Sequence, residues 1–277
     1  MAPDNTATVL SHFFLPAALF CLLLSACATH RWAEPVTEEE HSEIAEIIAT
    51  MQATDTTCPE SFDSEALIFW KSPLDNAAVT GYLQLLSPSF IKFIVSNPLG
   101  QPIYAFASNG DTFQSLYTRQ QLHIRGSVQS LAVRKEIPQV LVKSEWFALL
   151  TGHLPSQPLT ILQVQRDVSN KTVWLLLSPI ETNKTLEKTW LHLDPEKRKV
   201  LGYLFLDREG KTLAEILYEN SEDSVDYCTP NEKTTITNLP WGTEIIVELK
   251  DIQTDIKFSK TDFTLPVPNG YRKQLQP

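Results

Sequence analysis

The sequence predicts a mainly β (α+β) protein, a single curved antiparallel sheet with two or three helices laid on it. Three observations predict it. From Ala66 onward apolar residues recur in short runs with the period of strands. The links between runs are short and carry turn residues, so neighbours pair antiparallel; parallel crossovers need a dozen or more residues. Several runs are apolar on both faces, as in Phe90, Ile91, Phe93, Ile94 and Val95, where a half-solvated sheet would alternate. Both faces therefore need cover, by sheet curvature on one side and by helices or a ligand on the other.

The chain opens on a targeting signal. Phe13 to Ala26 reads FFLPAALFCLLLSA, an apolar run of h-region length. It is shorter than the roughly 20 residues of a membrane-spanning helix. It ends in Leu24-Ser25-Ala26-Cys27, which is similar to the bacterial lipobox. Residues 1–26 are thus expected to be a lipoprotein signal peptide, with cleavage before Cys27 and lipidation of its thiol. One departure stands out: Met1 to His12 holds no Lys or Arg and one Asp4. A misassigned start codon or an unusual exporter would account for it. Residues 27–36 read as a tether from lipid to domain, and two or three acyl chains anchor stably where one does not. Ala28 replaces the Asp that retains lipoproteins at the inner membrane. The expected location is therefore the outer membrane of a Gram-negative bacterium, lipid-anchored on its periplasmic face.

Cys21 leaves with the signal, so Cys58 and Cys228 remain beside Cys27. In an oxidising compartment two cysteines suggest a disulfide, the other reading being two buried thiols. Neither sits at a metal-site spacing.

The domain is read over 37–277. Thr37-Glu38-Glu39-Glu40 is a capping box, in which Thr37 and Glu40 each satisfy an orphan amide. Ile44, Ile47, Ile48 and Met51 follow as one apolar stripe of a short helix ending near Thr54. Strands are expected at 65–71, 77–86, 89–96, 101–108, 111–118 and 121–125, with Asn109-Gly110 as a hairpin signal. Between the third and fourth, Asn97, Pro98 and Gly100 are ordinary turn residues, but Leu99 is not. A leucine there is either tucked against the sheet or offered to a hydrophobic partner. Val140, Leu141, Trp146, Phe147 and Leu150 suggest a helix over 137–151, closed by Gly152 and followed by Pro155. Strands resume at 159–167, 171–178, 187–193, 199–207, 212–219, 233–238, 243–250 and about 254–258. No Gly/Ser-rich linker or internal repeat interrupts them. The tail from Phe263 to Tyr271 is too Pro-rich for a central strand and is expected along an edge.

Composition and motifs exclude more than they assign. A balance of 23 Lys+Arg against 33 Asp+Glu, net −10, argues against a nucleic-acid partner. The densest basic run, Lys197-Arg198-Lys199, reads as a solvated turn. Ser89-Phe90-Ile91-Lys92 matches SxxK, but in a strand the two ends of the motif face opposite ways. Gly210-Lys211-Thr212 resembles the end of a phosphate loop, yet Phe205 stands where its first Gly belongs. No HExxH, CxxC or GxSxG is present. The expectation is a protein with no catalytic residues, no metal and no cofactor.

Signal, lipobox, helix, meander, helical insertion and further strands together resemble the LolA/LolB superfamily of lipoprotein carriers, and within it LolB. The resemblance rests on Phe90 to Tyr104, where Ser96-Asn97-Pro98-Leu99-Gly100 matches the family's NPLG loop, and on Trp146 to Pro155. It covers most of residues 37–260, while the FTLPVPNGY tail is more like broader LolA-like lipoproteins. It implies an incomplete barrel of about 11 strands, lidded by two or three helices, whose apolar concave face accepts acyl chains of lipoproteins. It also implies a transfer loop, Asn97, Pro98, Leu99 and Gly100, that meets outer-membrane lipid, and a LolA-like periplasmic carrier as partner. Strand parity puts Trp70, Tyr82, Leu85, Phe93, Val95, Trp174, Leu204 and Leu206 in the cavity, an assignment that a one-residue register error would reverse. Two other readings stay open: a lipoprotein binding another lipid or hydrophobic ligand, and a structural envelope lipoprotein with a filled core.

Overall fold

The computed structural model describes residues 32–169, 171–178, 188–219, 227–254 and 256–276. The expected signal peptide and the expected lipidation site, Cys27, lie outside them. The first half carries β1 (Trp32–Pro35), α1 (Glu38–Asp55), β2 (Ser61–Lys71), β3 (Asn76–Leu86), β4 (Phe90–Ser96), β5 (Pro102–Ser108), β6 (Thr112–Tyr117) and β7 (Leu122–Ser127). Three short helices follow: α2 (Val128–Lys135), α3 (Gln139–Lys143) and α4 (Trp146–Thr151). The second half carries β8 (Ile161–Asp167), β9 (Val173–Leu177), β10 (Lys188–Asp194), β11 (Lys199–Leu206), β12 (Thr212–Glu219), β13 (Lys233–Leu239), β14 (Thr243–Gln253) and β15 (Arg272–Gln276).

All fifteen strands form one sheet in the order β1-β8-β9-β10-β11-β12-β13-β14-β2-β3-β4-β5-β6-β7-β15. Every pairing is antiparallel except β15, which runs parallel to β7. The two meanders are joined where β14 returns to β2 over residues 244–253. The sheet stays open, with β1 and β15 as its edges. Fifteen strands exceed the eleven or so expected, and the unforeseen ones are those edges. WAEP and RKQLQ are short and polar, so neither shows the apolar alternation of a strand. Residues 32–35, read as tether, become a strand because Trp32 stacks on Trp190 with ring centroids 4.6 Å apart. Among the described residues of 254–258 no strand forms; β14 instead continues to Gln253 through a register shift at Asp251 (φ 51°).

The first helix is as read, with the reciprocal Thr37–Glu40 capping box in place. Arg166 on β8 also pairs with Glu40, so the helix start is held to the sheet. The expected helix over 137–151 is instead two, preceded by α2. Glu136 in the left-handed region (φ 55°) ends α2, and Pro138 separates it from α3. Gly152 (φ 77°) ends α4, where an added Cβ would lie 1.6 Å from Asn231 Nδ2.

The concave face is filled in three places, one of them where Val128, Ala132 and Val142 of α2–α3 pack on Phe113 of β6. Ile44, Ile48 and Met51 of α1 pack on Leu175, Leu191, Leu193, Tyr203, Phe205 and Ile216 of β9–β12. Phe147 of α4 packs on Phe62, Leu85, Ile91, Phe93 and Val95 of β2–β4. The convex face has its own cover. Phe263 lies 5.6 Å from Phe90, and Leu265 packs on Ala105 and Ala107. The tail expected along an edge therefore crosses the outer face first and reaches an edge only as β15. Small residues at 105 and 107 are what let it lie close.

Cys58, just beyond α1, is disulfide-bonded to Cys228, closing a separation of 170 residues. Beside it the Tyr227 hydroxyl donates to Asp55 Oδ2 at 2.9 Å. Burial pushes the Asp55 carboxyl up to about 6, against the opposing pull of that hydrogen bond. Reduction of the disulfide, or Cys58→Ser with Cys228→Ser, should lower the free energy of unfolding by about 2–4 kcal/mol in urea titrations. Asp55 has the opposite sign from most carboxylates: its folded-state value is raised, so its contribution is fully present below about pH 4 and is lost as pH rises through about 6. Urea midpoints of the parent relative to Asp55→Asn should fall across that window; a constant difference would refute the assignment.

Candidate functional site

Above α4 the concave face is left uncovered, and a cavity of about 470 Å³ occupies the space. That volume lies within the roughly 300–1,000 Å³ of small-molecule sites. Its walls come from alternate residues of four neighbouring regions. Tyr104 and Phe106 on β5, with Phe113, Ser115 and Tyr117 on β6, form one wall. Ile216, Ile236 and Ile245 on β12–β14, with Trp70 on β2, form the opposite wall. Leu131, Ile137 and Leu141 of the α2–α3 region close a side, and Trp146, Leu149 and Leu150 of α4 close the bottom. Strand register explains the choice: Tyr104 pairs with Tyr117 and Phe106 with Ser115, so their side chains share one face.

The interior is neutral. Tyr104 and Tyr117 have ring centroids 5.0 Å apart, and burial, reinforced by Tyr117, holds the Tyr104 hydroxyl well above its usual titration range. Among the described residues the only charged wall residues are Lys135 and Glu136, where α2 ends. Glu136 accepts a hydrogen bond from Trp241 Nε1, linking the end of α2 to the β13–β14 turn across the mouth. Both residues have positive φ, 55° and 63°. Non-glycine residues there cost of order 1 kcal/mol each. The bridge is thus built at a backbone cost on both sides.

Register places this mouth at one rim of the sheet. β2 and β3 pair from Lys71–Asn76 downward, and β4 and β5 from Ser96–Pro102 downward. The tips at 72–75, 97–101, 118–121 and 240–242 therefore share that rim, while the disulfide lies at the other. At the 97–101 tip Asn97 Oδ1 accepts from the amides of Leu99 and Gln101, both at 3.0 Å. Gly100 (φ 77°) completes the turn with nothing within 4 Å of an added Cβ. With the backbone tied down this way, Leu99 points outward and is 84% exposed.

Of the eight residues expected in the cavity, Trp70 alone lines it. Leu85, Phe93 and Val95 have the right parity but lie beneath Phe147, in the filled part of the concave face. Gly81 helps to seat them, since any Cβ there would meet the Phe93 ring at 2.8 Å. Tyr82 is on the convex face and more than half exposed. Trp174, Leu204 and Leu206 are also convex, in a cluster with Trp32 and Trp190. Their neighbours in register, Leu175, Tyr203 and Phe205, are the inward ones. The missed wall residues had a signal: in Tyr104-Ala105-Phe106-Ala107 the large side chains alternate with small ones, marking the aromatic face as the roomy side.

One cluster has metal-ligand residue types. Asp55, Cys58 and His153 bring one ligand-type atom each within 4.8 Å of one another. Cys58 Sγ is bonded to Cys228 and His153 Nδ1 is 2.7 Å from Thr151 Oγ1, so the group serves as structural packing at the end of α1.

No family model matches the sequence, and no curated relative matches it. Solved structures do. A domain assigned to outer-membrane lipoprotein sorting from Vibrio parahaemolyticus superposes with TM-score 0.55 at 14% identity, covering 79% of this chain and 95% of that one. A LolA superfamily protein from Nitrosomonas europaea gives 0.52 at 16% identity, covering 80% and 97%. A DUF1329 family protein from Desulfovibrio piger gives 0.55 at 11% identity, covering 84% and 98%. An open sheet curled over a helix-lined apolar cavity, matched along nearly the whole length of these structures, is a LolA/LolB-like fold.

Proposed function

We propose that this protein is an outer-membrane lipoprotein that receives acyl chains of other lipoproteins in its cavity and passes them to the membrane, acting as a LolB-like receptor for a LolA-like carrier. The observation that carries it is the neutral, aromatic-walled cavity opening at the rim that bears Leu99. Each CH₂ moved from water to an apolar site gains about 0.8 kcal/mol, so an acyl chain does not leave such a cavity through water. Release has to be direct, from cavity to bilayer, at a mouth that touches the bilayer. Lipidation at Cys27 would hold the domain at the outer membrane on its periplasmic side. The reading assigns no bond-making step to any residue, and none of the described helices is long and apolar enough to cross a membrane. A structural lipoprotein with a filled concave face would have no such cavity. Another lipid or hydrophobic ligand would use the same walls and is distinguished by its identity.

Native mass spectrometry of the protein purified without detergent should find acyl-chain lipid bound. Ser115→Phe, which fills the cavity from β6, should reduce that lipid at least ten-fold while leaving the thermal midpoint unchanged or higher; full occupancy in this variant would refute the site. Leu99→Glu should fold normally, since the side chain touches almost nothing, yet abolish incorporation of lipoproteins into outer-membrane vesicles. Normal incorporation would count decisively against the receptor reading.

A further inference from the structure

Leu99 is not alone on its rim. The hairpins β13–β14, β2–β3 and β4–β5 are consecutive in the sheet, and each ends in one large exposed apolar side chain. Leu74 at the β2–β3 tip is 96% exposed, and Trp241 at the β13–β14 tip is 77% exposed. Successive tips are two strands apart, about 10 Å at ordinary strand spacing. The three side chains therefore form a row of about 20 Å beside the mouth.

We propose that this row is a membrane-docking face: Leu74, Leu99 and Trp241 enter a phospholipid bilayer together and set the cavity mouth against it. The proposal deepens the acyl-transfer reading and rests on it for the purpose of the contact, not for the contact itself. Three observations favour a bilayer as occupant over a protein.

The large apolar side chains stand on three separate turn tips, each beside an exposed proline (Pro73, Pro98 and Pro240), whereas the core of a protein interface is a continuous, close-packed apolar surface. Backbone groups of the turns that carry them are already bonded within the fold. Ser72 N–H and Oγ both donate to Asp75 O at 2.9 Å, and the Asp75 amide donates back to Ser72 Oγ. Asn97 satisfies the amides of its own turn, and Lys71 pairs with Glu244 at 3.0 Å. Turns whose backbone groups are internally bonded can enter a region poor in water without leaving donors unpaired. Finally, Trp241 at the cavity mouth keeps its indole N–H on Glu136 while most of its ring is exposed, the division of polar and apolar ends that suits tryptophan to a membrane interface.

The test is partition of the mature chain from residue 28 onward, which carries neither the apolar leader nor an acyl anchor, onto vesicles of phosphatidylethanolamine and phosphatidylglycerol. The parent should co-sediment, and Leu74→Ser and Leu99→Ser should each lower the partition coefficient about ten-fold, with the double variant lower still. Trp241→Ser should do the same. Val168→Ser, on an exposed valine of the β8–β9 turn at the opposite rim, should change nothing. Leu74→Ser and Leu99→Ser should keep their bound lipid by mass spectrometry, because neither lines the cavity. Failure of the parent to co-sediment, equal partition of parent and tip variants, or an equal loss with Val168→Ser overturns the docking face and leaves the cavity reading intact. Absence of bound lipid from the parent overturns the cavity reading without bearing on vesicle partition.

Discussion

An antiparallel sheet that curls without closing exposes an apolar concave face larger than a few helices can cover, and that mismatch shapes this molecule. α1 spans β9–β12 with Ile44, Ile48 and Met51, and the single turn-and-a-half of α4 drives Phe147 onto β2–β4. With α2 and α3 packed on Phe113 at one side, no described side chain fills the bend between β5–β6 and β12–β14. The cavity is what remains. Its walls are apolar for the same reason the core is apolar: they are the continuation of one face of one sheet.

The position of α4 is therefore the decisive contact. Its amide at Phe147 donates to Pro88 O at 3.0 Å, and the Thr151 carbonyl accepts from both the Asn231 amide and its side chain, at 3.0 and 2.8 Å. The Tyr218 hydroxyl donates to Leu149 O at 2.8 Å. Held between the two meanders, the helix turns Phe147 and Ala148 toward the core and Trp146, Leu149 and Leu150 toward the cavity. A helix this short has little stability of its own. Its orientation belongs to the sheet that grips it.

Edges and outer face are managed by the termini of the described chain. β1 covers one edge and β15 the other, and both are short and polar, which limits edge-to-edge association. The tail between Phe263 and β15 covers Ala105 and Ala107 from outside. Aromatic residues at 104 and 106 and alanines at 105 and 107 thus serve opposite needs, a roomy inner face and a close outer one. The rim opposite the disulfide is left with its apolar tips in solvent, where three tied-down turns hold them.

Much of the fold was legible in the residues. Period-two runs and the Asn109-Gly110 turn marked thirteen of the strands, and Thr37-x-x-Glu40 marked the start of α1. Those signals are local: they depend on backbone preference and on neighbours a few residues away. The turn at Asn97–Gly100 was legible for the same reason, and so was its odd leucine. Which face of a strand looks inward was not. Leu204 and Phe205 are equally apolar, as are Trp174 and Leu175, and only the closing of the second meander over α1 chose Phe205 and Leu175. Nor could periodicity tell a concave residue under a helix, such as Phe93, from one facing open space, such as Phe106. By itself the sequence determined the strands, the turns and the both-faces-apolar sheet, because these follow from local chemistry; the tertiary structure alone decided the cavity walls and the shared rim of Leu74, Leu99 and Trp241, because both depend on which distant segments the curvature of the sheet brings together.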